Sequence, residues 1–421
     1  MKIETQCLHA GYTPGNAQPR VVPIVQSTTY VYDSTQEVAS VFDEPTKSLI
    51  YSRFANPTVM AVEAKIAEME GGVGAMCTSS GQAATLLSLL NLCSAGDSFL
   101  STTAIYGGTV NLFSVTLKRL GIECIYVDQD ADEETIRAAF KSNTRAVFGE
   151  TLANPALKVL DIEKFARAAH AHGVPLIIDS TFATPILCRP FEFGADIVVH
   201  STSKYMDGHA LQVGGVIVDS GKFGWTNGKF PELTEPDASY HGINYVDTYG
   251  KAAYIIKARM QLMRDFGVYP SAHSAFLLNL GLETLAMRMK QYCENALAVA
   301  EYLAASDCVE SVTYPGLPGD AGYELARKYL KGASGVIAVV IKGGREGAMR
   351  FMNALELASN QVHVADIRTC VLHPASETHR QLTDEQLVAA GIQPGLVRYS
   401  VGLEHIDDII SDLEIGLRAV R

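Results

Sequence analysis

The chain has 421 residues, 48% hydrophobic and 19% charged, a composition that excludes a disordered polymer and fits about two or three globular domains. Its 34 Lys and Arg stand against 46 Asp and Glu, a net charge of −12, which argues against the clustered positive surface that nucleic acid or an anionic membrane requires. Eight cysteines are scattered without a CxxC pair, and no apolar run approaches the roughly 20 residues of a membrane span.

The opening residues, MKIETQCLHAGY, lack the apolar stretch of a secretory signal, so reduced thiols and a cytoplasmic location are expected. Residues 1–55, rich in Thr, Gln, Pro and Tyr, read as an irregular, extended arm. Regular periodicity begins at Asn56-Pro57, an N-cap followed by proline at the first helical position. Val59, Val62, Ile66 and Met69 then recur at helical spacing, and Gly71-Gly72 closes the predicted helix 57–70. Strands are predicted at 98–101, 122–127, 145–150, 174–179, 196–200 and 213–218. Helices are predicted between most of them, at 107–119, 132–141 and 161–172. That alternation predicts an α/β fold, a mostly parallel sheet covered by helices on both faces. Residues 221–249 are polar and aromatic, hold the only tryptophan, Trp225, and read as an ordered insertion. A long helical region is expected from about 250 to 304, and an amphipathic helix at 405–419. The first α/β domain is placed at 56–265 and a smaller α+β domain at 266–421.

Open α/β sheets bind ligands beyond the carboxyl ends of their strands. Four places there carry reactive or anion-binding side chains. Ser80-Gly81-Gln82 opens a helix and can present backbone N–H groups to an anion, or Ser80 can be an ordinary N-cap. Asp179 closes an apolar strand, either as a cap for the next turn or as a buried anion facing a ligand nitrogen. Lys204 follows a strand among Ser201, Thr202 and Ser203, a setting in which a desolvated amine attacks carbonyl carbon. Arg398 lies inside the β-branched run 396–402 and needs a carboxylate from the protein or from a ligand. His170 and His172 read as capping groups near a helix end. His373 and His379 have no third ligand at matching spacing, so no metal is expected. The GGVG at 71–74 lacks the context of a dinucleotide fingerprint.

Taken in order, the blocks Tyr51-Ser52-Arg53-Phe54-Ala55-Asn56-Pro57, Ser79-Ser80-Gly81-Gln82-Ala83, Tyr106-Gly107-Gly108-Thr109, Asp179-Ser180-Thr181-Phe182-Ala183-Thr184-Pro185, Ser201-Thr202-Ser203-Lys204-Tyr205 and His373-Pro374-Ala375-Ser376 resemble the Cys/Met-metabolism family of pyridoxal-phosphate (PLP) enzymes. The resemblance runs nearly end to end and implies the PLP-dependent transferase fold type I. It implies pyridoxal 5'-phosphate as cofactor, Lys204 as its covalent anchor and proton carrier, and Asp179 as the partner of the ring nitrogen. Tyr106 would stack on the ring, Asn154 would meet its hydroxyl, and Thr181 would lie close by. Ser80, Gly81, Gln82, Ser201 and Ser203 would hold the phosphate, with Tyr51 and Arg53 reaching it from a neighbouring subunit of a homo-oligomer, a dimer of dimers. Arg398, with Tyr51 and Asn154, would bind the substrate.

Within the family the chain is most similar to members that replace the acetate of O-acetyl-L-homoserine by sulfide or a small thiol. The stretch 106–122, the insertion around Phe230-Pro231-Glu232 and the run Arg368–Ser376 carry that likeness. A methionine γ-lyase or cystathionine γ-synthase type of activity is the alternative, and a non-catalytic PLP-binding protein a remote one. Two positions depart from the subgroup: Asp207, where glycine or serine is expected, and His363-Val364-Ala365-Asp366, in place of an asparagine/glycine turn.

Overall fold

The computed structural model describes residues 1–43, 49–378, 380–381, 383–389 and 392–421; His379 lies outside them. The apolar runs pair into two sheets. The larger has seven strands: β1 (Gly74–Thr78), β2 (Ser98–Thr102), β3 (Glu123–Val127), β4 (Thr144–Glu150), β5 (Leu176–Asp179), β6 (Ile197–Ser201) and β7 (Gly215–Asp219). Their order is β1-β7-β6-β5-β4-β2-β3. Strands β3, β2, β4, β5 and β6 are parallel, and β7 runs antiparallel to both β6 and β1. Parallel strands need crossovers, so both faces are covered. Successive residues divide between the faces: Ile178 and Val198 join Val62 and Ile66 in one core, whereas Ile177 and Val199 join Phe99 and Phe148 in the other. In the second core Phe113 stands edge-on to Phe99 and to Phe148, with centroids 4.8 and 5.1 Å away. Each such pair adds about 0.5–1.5 kcal/mol beyond its burial.

The helix expected at 57–70 is Pro57–Glu70. The Asn56 side chain accepts from the N–H groups of Thr58 and Val59, and Gly71 ends the helix at φ 79°. Two expectations need correction and one needs detail. Strand β1 was not predicted: Gly74–Thr78 is short and lacks β-branched residues before Thr78, and its pairing with β7 makes it a strand. The region 250–304 is helical as expected, but it is divided into successive helices. Gly267 at φ 67° stops the first stretch, Pro270 follows, and Ser271 caps a new helix, Ala272–Glu283, before Leu285–Ala304. The arm is not wholly irregular. Ile3–His9 is helical, buries Cys7 and packs on the helices Pro57–Glu70, Ala272–Glu283 and Leu285–Ala304, while Thr35–Asp43 forms a second helix. The chain between them is tied down by Thr58, whose hydroxyl donates to the Pro23 carbonyl (2.7 Å) and accepts from Val25 N–H (2.9 Å).

The insertion at 221–249 is ordered by its aromatic residues. Trp225 is buried, stacked on Tyr254 at 5.4 Å and met edge-on by Phe230 at 5.1 Å. The smaller sheet holds β8 (Val309–Thr313), β9 (Val336–Ile341), β10 (Ser359–Asn360), β11 (Cys370–Leu372) and β12 (Leu396–Ser400), in the order β10-β11-β12-β9-β8. Its pairs are antiparallel except β10 with β11. The helix Ile406–Arg418 packs Ile409, Leu413 and Leu417 against it.

Candidate active site

Strands β4, β5 and β6 run in one direction, so their carboxyl ends gather at one edge of the large sheet. Glu150 ends β4, Asp179 ends β5 and Ser201 ends β6. A cavity of about 430 Å³ lies beyond them. It is bounded by Ser80, Gly81 and Gln82 at a helix start, by Tyr106 and Asn154 from the loops after β2 and β4, by Thr181, Ser203 and Lys204, and by His363 and Arg398 from the smaller sheet's side. Eleven of the thirteen residues expected at the site line it: Ser80, Gly81, Gln82, Tyr106, Asn154, Asp179, Thr181, Ser201, Ser203, Lys204 and Arg398. Tyr51 and Arg53 do not. Within this chain the Arg53 guanidinium lies over the Tyr51 ring, 5.1 Å from its centroid.

The helix Gly81–Leu90 starts at Ser80, whose hydroxyl oxygen accepts from Ala83 N–H (3.1 Å), so the capping reading of Ser80 holds alongside its place in the cavity wall. Gly81 is required by close approach: a Cβ there would stand 2.6 Å from the Ser201 Cβ. The helix start and the end of β6 are thus pressed together, leaving the first backbone N–H groups beside the Ser201 and Ser203 hydroxyls, a combination suited to an anion.

Asp179 Oδ1 accepts from Thr181 N–H (2.9 Å) and from the Thr181 hydroxyl (2.5 Å). The Thr181 hydroxyl oxygen in turn accepts from Ser201 N–H (2.9 Å), fixing β5's end against β6's. The capping reading of Asp179 is realised, and the same carboxyl borders the cavity. Burial raises its carboxyl above the ordinary range, opposed by the Thr181 bonds and by His200. Lys204 Nζ is 3.3 Å from His363 Nδ1. Burial, then the nearby Arg398 charge, lowers the Lys204 amine to about 8. Burial and the Lys204 charge likewise push His363 down to about 4, so its imidazole is neutral at physiological pH. Arg398 is 6% exposed and, among the described residues, donates to neutral oxygens: the carbonyls of Val362 (3.1 Å) and His363 (3.0 Å) and Asn154 Oδ1 (3.4 Å).

The family model for Cys/Met metabolism PLP-dependent enzymes matches residues 4–418. The chain belongs to the Cys/Met-metabolism family of PLP-dependent enzymes. Among its relatives in that family, the O-acetyl-L-homoserine sulfhydrylase of Leptospira meyeri is 44% identical, covering 100% of this chain and 97% of the relative. The homocysteine synthase of Schizosaccharomyces pombe is 45% identical, covering 99% and 98%. Among solved structures, a putative O-acetylhomoserine (thiol)-lyase from Campylobacter jejuni, carrying N'-pyridoxyl-lysine-5'-monophosphate, is 36% identical with a TM-score of 0.95, covering 99% of this chain and 100% of that one. MetB from Corynebacterium glutamicum is 32% identical with a TM-score of 0.84, covering 100% and 99%. As in the rest of the family the cofactor is pyridoxal 5'-phosphate, and the site fits it. The amine of Lys204 can bond its aldehyde, the Asp179 carboxyl can face its ring nitrogen, and the Gly81 cradle with Ser201 and Ser203 can take its phosphate.

Two cavity residues deserve mention beyond those expected. Glu150 closes β4 as Asp179 closes β5, and the same strand-end rule points to it. His363 was seen only as a departure in sequence, because its neighbour Lys204 is 159 positions away. The other departure, Asp207, does not line the cavity. It is buried, and its Oδ2 accepts from Leu211 N–H (2.9 Å), which anchors the loop that carries Leu211, Gln212 and Val213 along the cavity wall. His373 is also buried, and its Nε2 bonds the Pro394 carbonyl at 2.8 Å.

Proposed function

We propose that this chain replaces the acetate of O-acetyl-L-homoserine by sulfide or a small thiol, giving L-homocysteine or methionine. The observation that carries this reading is a cavity in which a desolvated lysine, a strand-end aspartate and an arginine with no carboxylate partner among the described residues converge, in a chain whose relatives bear the sulfhydrylase and homocysteine synthase names. The bound cofactor supplies an electron sink for the carbon next to the substrate amine. Arg398 grips the substrate α-carboxylate with its two-pronged guanidinium. Lys204 Nζ takes the α-proton and then a β-proton, which allows acetate to leave the γ-carbon, and returns protons once sulfur has added there. Its lowered basicity keeps a useful fraction of free amine near neutral pH. Asp179 holds a proton on the ring nitrogen. Tyr106 covers the ring, and Asn154 orients it from the side that also meets Arg398.

Tyr51 and Arg53 belong to this reading as residues that complete a neighbouring subunit's phosphate site. Their place outside their own chain's cavity supports that role, in a working unit read as a homo-oligomer, a dimer of dimers in the cytoplasm. Among the described residues, Lys204 and Arg398 are the only lysine or arginine lining the cavity. A second carboxylate on the leaving group would therefore lack a cation within the chain. The test is kcat/KM for O-acetyl- against O-succinyl-L-homoserine with sulfide. An acetyl preference of about tenfold or more is expected, on the scale of one unpaired charge-assisted contact. Equal values, or no homocysteine from either ester, would contradict the reading.

A further inference from the structure

Glu150 is 5% exposed, borders the cavity and, among the described residues, has no basic group bonded to it. A buried carboxyl of this kind is costly unless both its oxygens are used. Both are, and by the backbones of two different catalytic loops. Oε1 accepts from Tyr106 N–H at 2.6 Å, in the loop after β2, and Oε2 accepts from Asn154 N–H at 3.2 Å, in the loop after β4. The Asn154 side chain continues the chain of contacts to Arg398 at 3.4 Å. Register places Glu150 directly opposite Asp179 on the adjacent strand. Burial and then the Asp179 charge push the Glu150 carboxyl up, against the two backbone N–H bonds from Tyr106 and Asn154, which favour its charged form.

We propose that Glu150 is a positioning residue: one buried carboxyl braces the loop of Tyr106 to the loop of Asn154 and thereby sets where the cofactor ring lies relative to Arg398. This inference rests on the functional reading above and deepens it. A ring displaced by about 1 Å from its working position costs on the order of 10²-fold in rate.

The test uses the PLP-loaded enzyme and two variants. Glu150→Ala removes both acceptors. Glu150→Gln keeps the size and one acceptor oxygen, but turns an amide donor toward a backbone N–H. The first readout is the visible circular dichroism of the bound cofactor, which reports ring orientation in the absence of substrate. It should change in Glu150→Ala and recover in part in Glu150→Gln. The second is steady-state kinetics: kcat should fall about a hundredfold in the alanine variant and about tenfold in the glutamine variant, with KM for the amino-acid substrate changing less than kcat. If the alanine variant does not fold, the near-isosteric glutamine variant carries the test alone. A folded variant with wild-type cofactor dichroism and wild-type kcat overturns the proposal. The dichroism needs no substrate, so its outcome stands apart from that of the sulfhydrylase reading, which is decided by the products of the wild-type protein.

Discussion

The two sheets differ in what they give to chemistry. The large sheet brings parallel strand ends to one edge, and three consecutive strands, β4, β5 and β6, end there in Glu150, Asp179 and Ser201. The small sheet is almost wholly antiparallel, so its strand ends alternate in direction and cannot gather in the same way. It contributes a single strand-borne group, Arg398, from the interior of β12, where Ala338 on one side and Leu372 on the other are its register partners. Under the proposed function, topology divides the labour: cofactor chemistry would hang on strand ends of the large sheet, and substrate would be gripped from the body of the small one.

Substitutions on the large-sheet edge should be the most damaging. Lys204→Ala removes both the covalent anchor and the proton carrier, and should lower kcat by about a thousandfold or more while abolishing the visible band of the lysine-bound cofactor. Asp179→Asn leaves the shape but weakens the hold on the ring proton, for a loss of about a hundredfold in kcat. Retention of near-wild-type turnover by the lysine variant would sink the assignment of that edge.

On the small-sheet side, the damage should fall on binding instead. Arg398→Ala should raise KM for O-acetyl-L-homoserine and lower kcat/KM on the order of a hundredfold, the effect of leaving a carboxylate unpaired. The cofactor's absorbance should be unchanged. An altered cofactor spectrum with an unchanged KM would erase the division between the two sheets.

A smaller effect concerns pH. In the cofactor-free protein the Lys204 amine is lowered to about 8, and only the neutral amine attacks an aldehyde. The rate of PLP incorporation should therefore rise with pH through about 8 and level off above it. A rate still climbing near pH 10 would mean that Lys204 keeps an ordinary amine basicity.

Much of this site was legible in the sequence because its signals are local. Lys204, Asp179 and the Ser80-Gly81-Gln82 turn each sit directly after an apolar run, where a strand-end rule finds them. Glu150 obeys the same rule but was passed over inside the predicted strand 145–150. His363 was noticed only as an odd residue, because the fold and not the chain order brings it to Lys204. Strand β1 gave too little β-branched signal, and its existence depends on β7 lying beside it. The break after Phe266 is carried by Gly267 and Pro270, both visible in the sequence but not used to divide the helical region 250–304. Residues 3–9 gave little amphipathic pattern of their own and are held as a helix by three others from distant parts of the chain.

The most direct test of the central claim is product analysis of the PLP-loaded protein given O-acetyl-L-homoserine with and without sulfide. Homocysteine formed only when sulfide is present, with little 2-oxobutanoate, is the predicted result. Abundant 2-oxobutanoate and ammonia whether or not sulfide is added would contradict it and make the chain a γ-lyase.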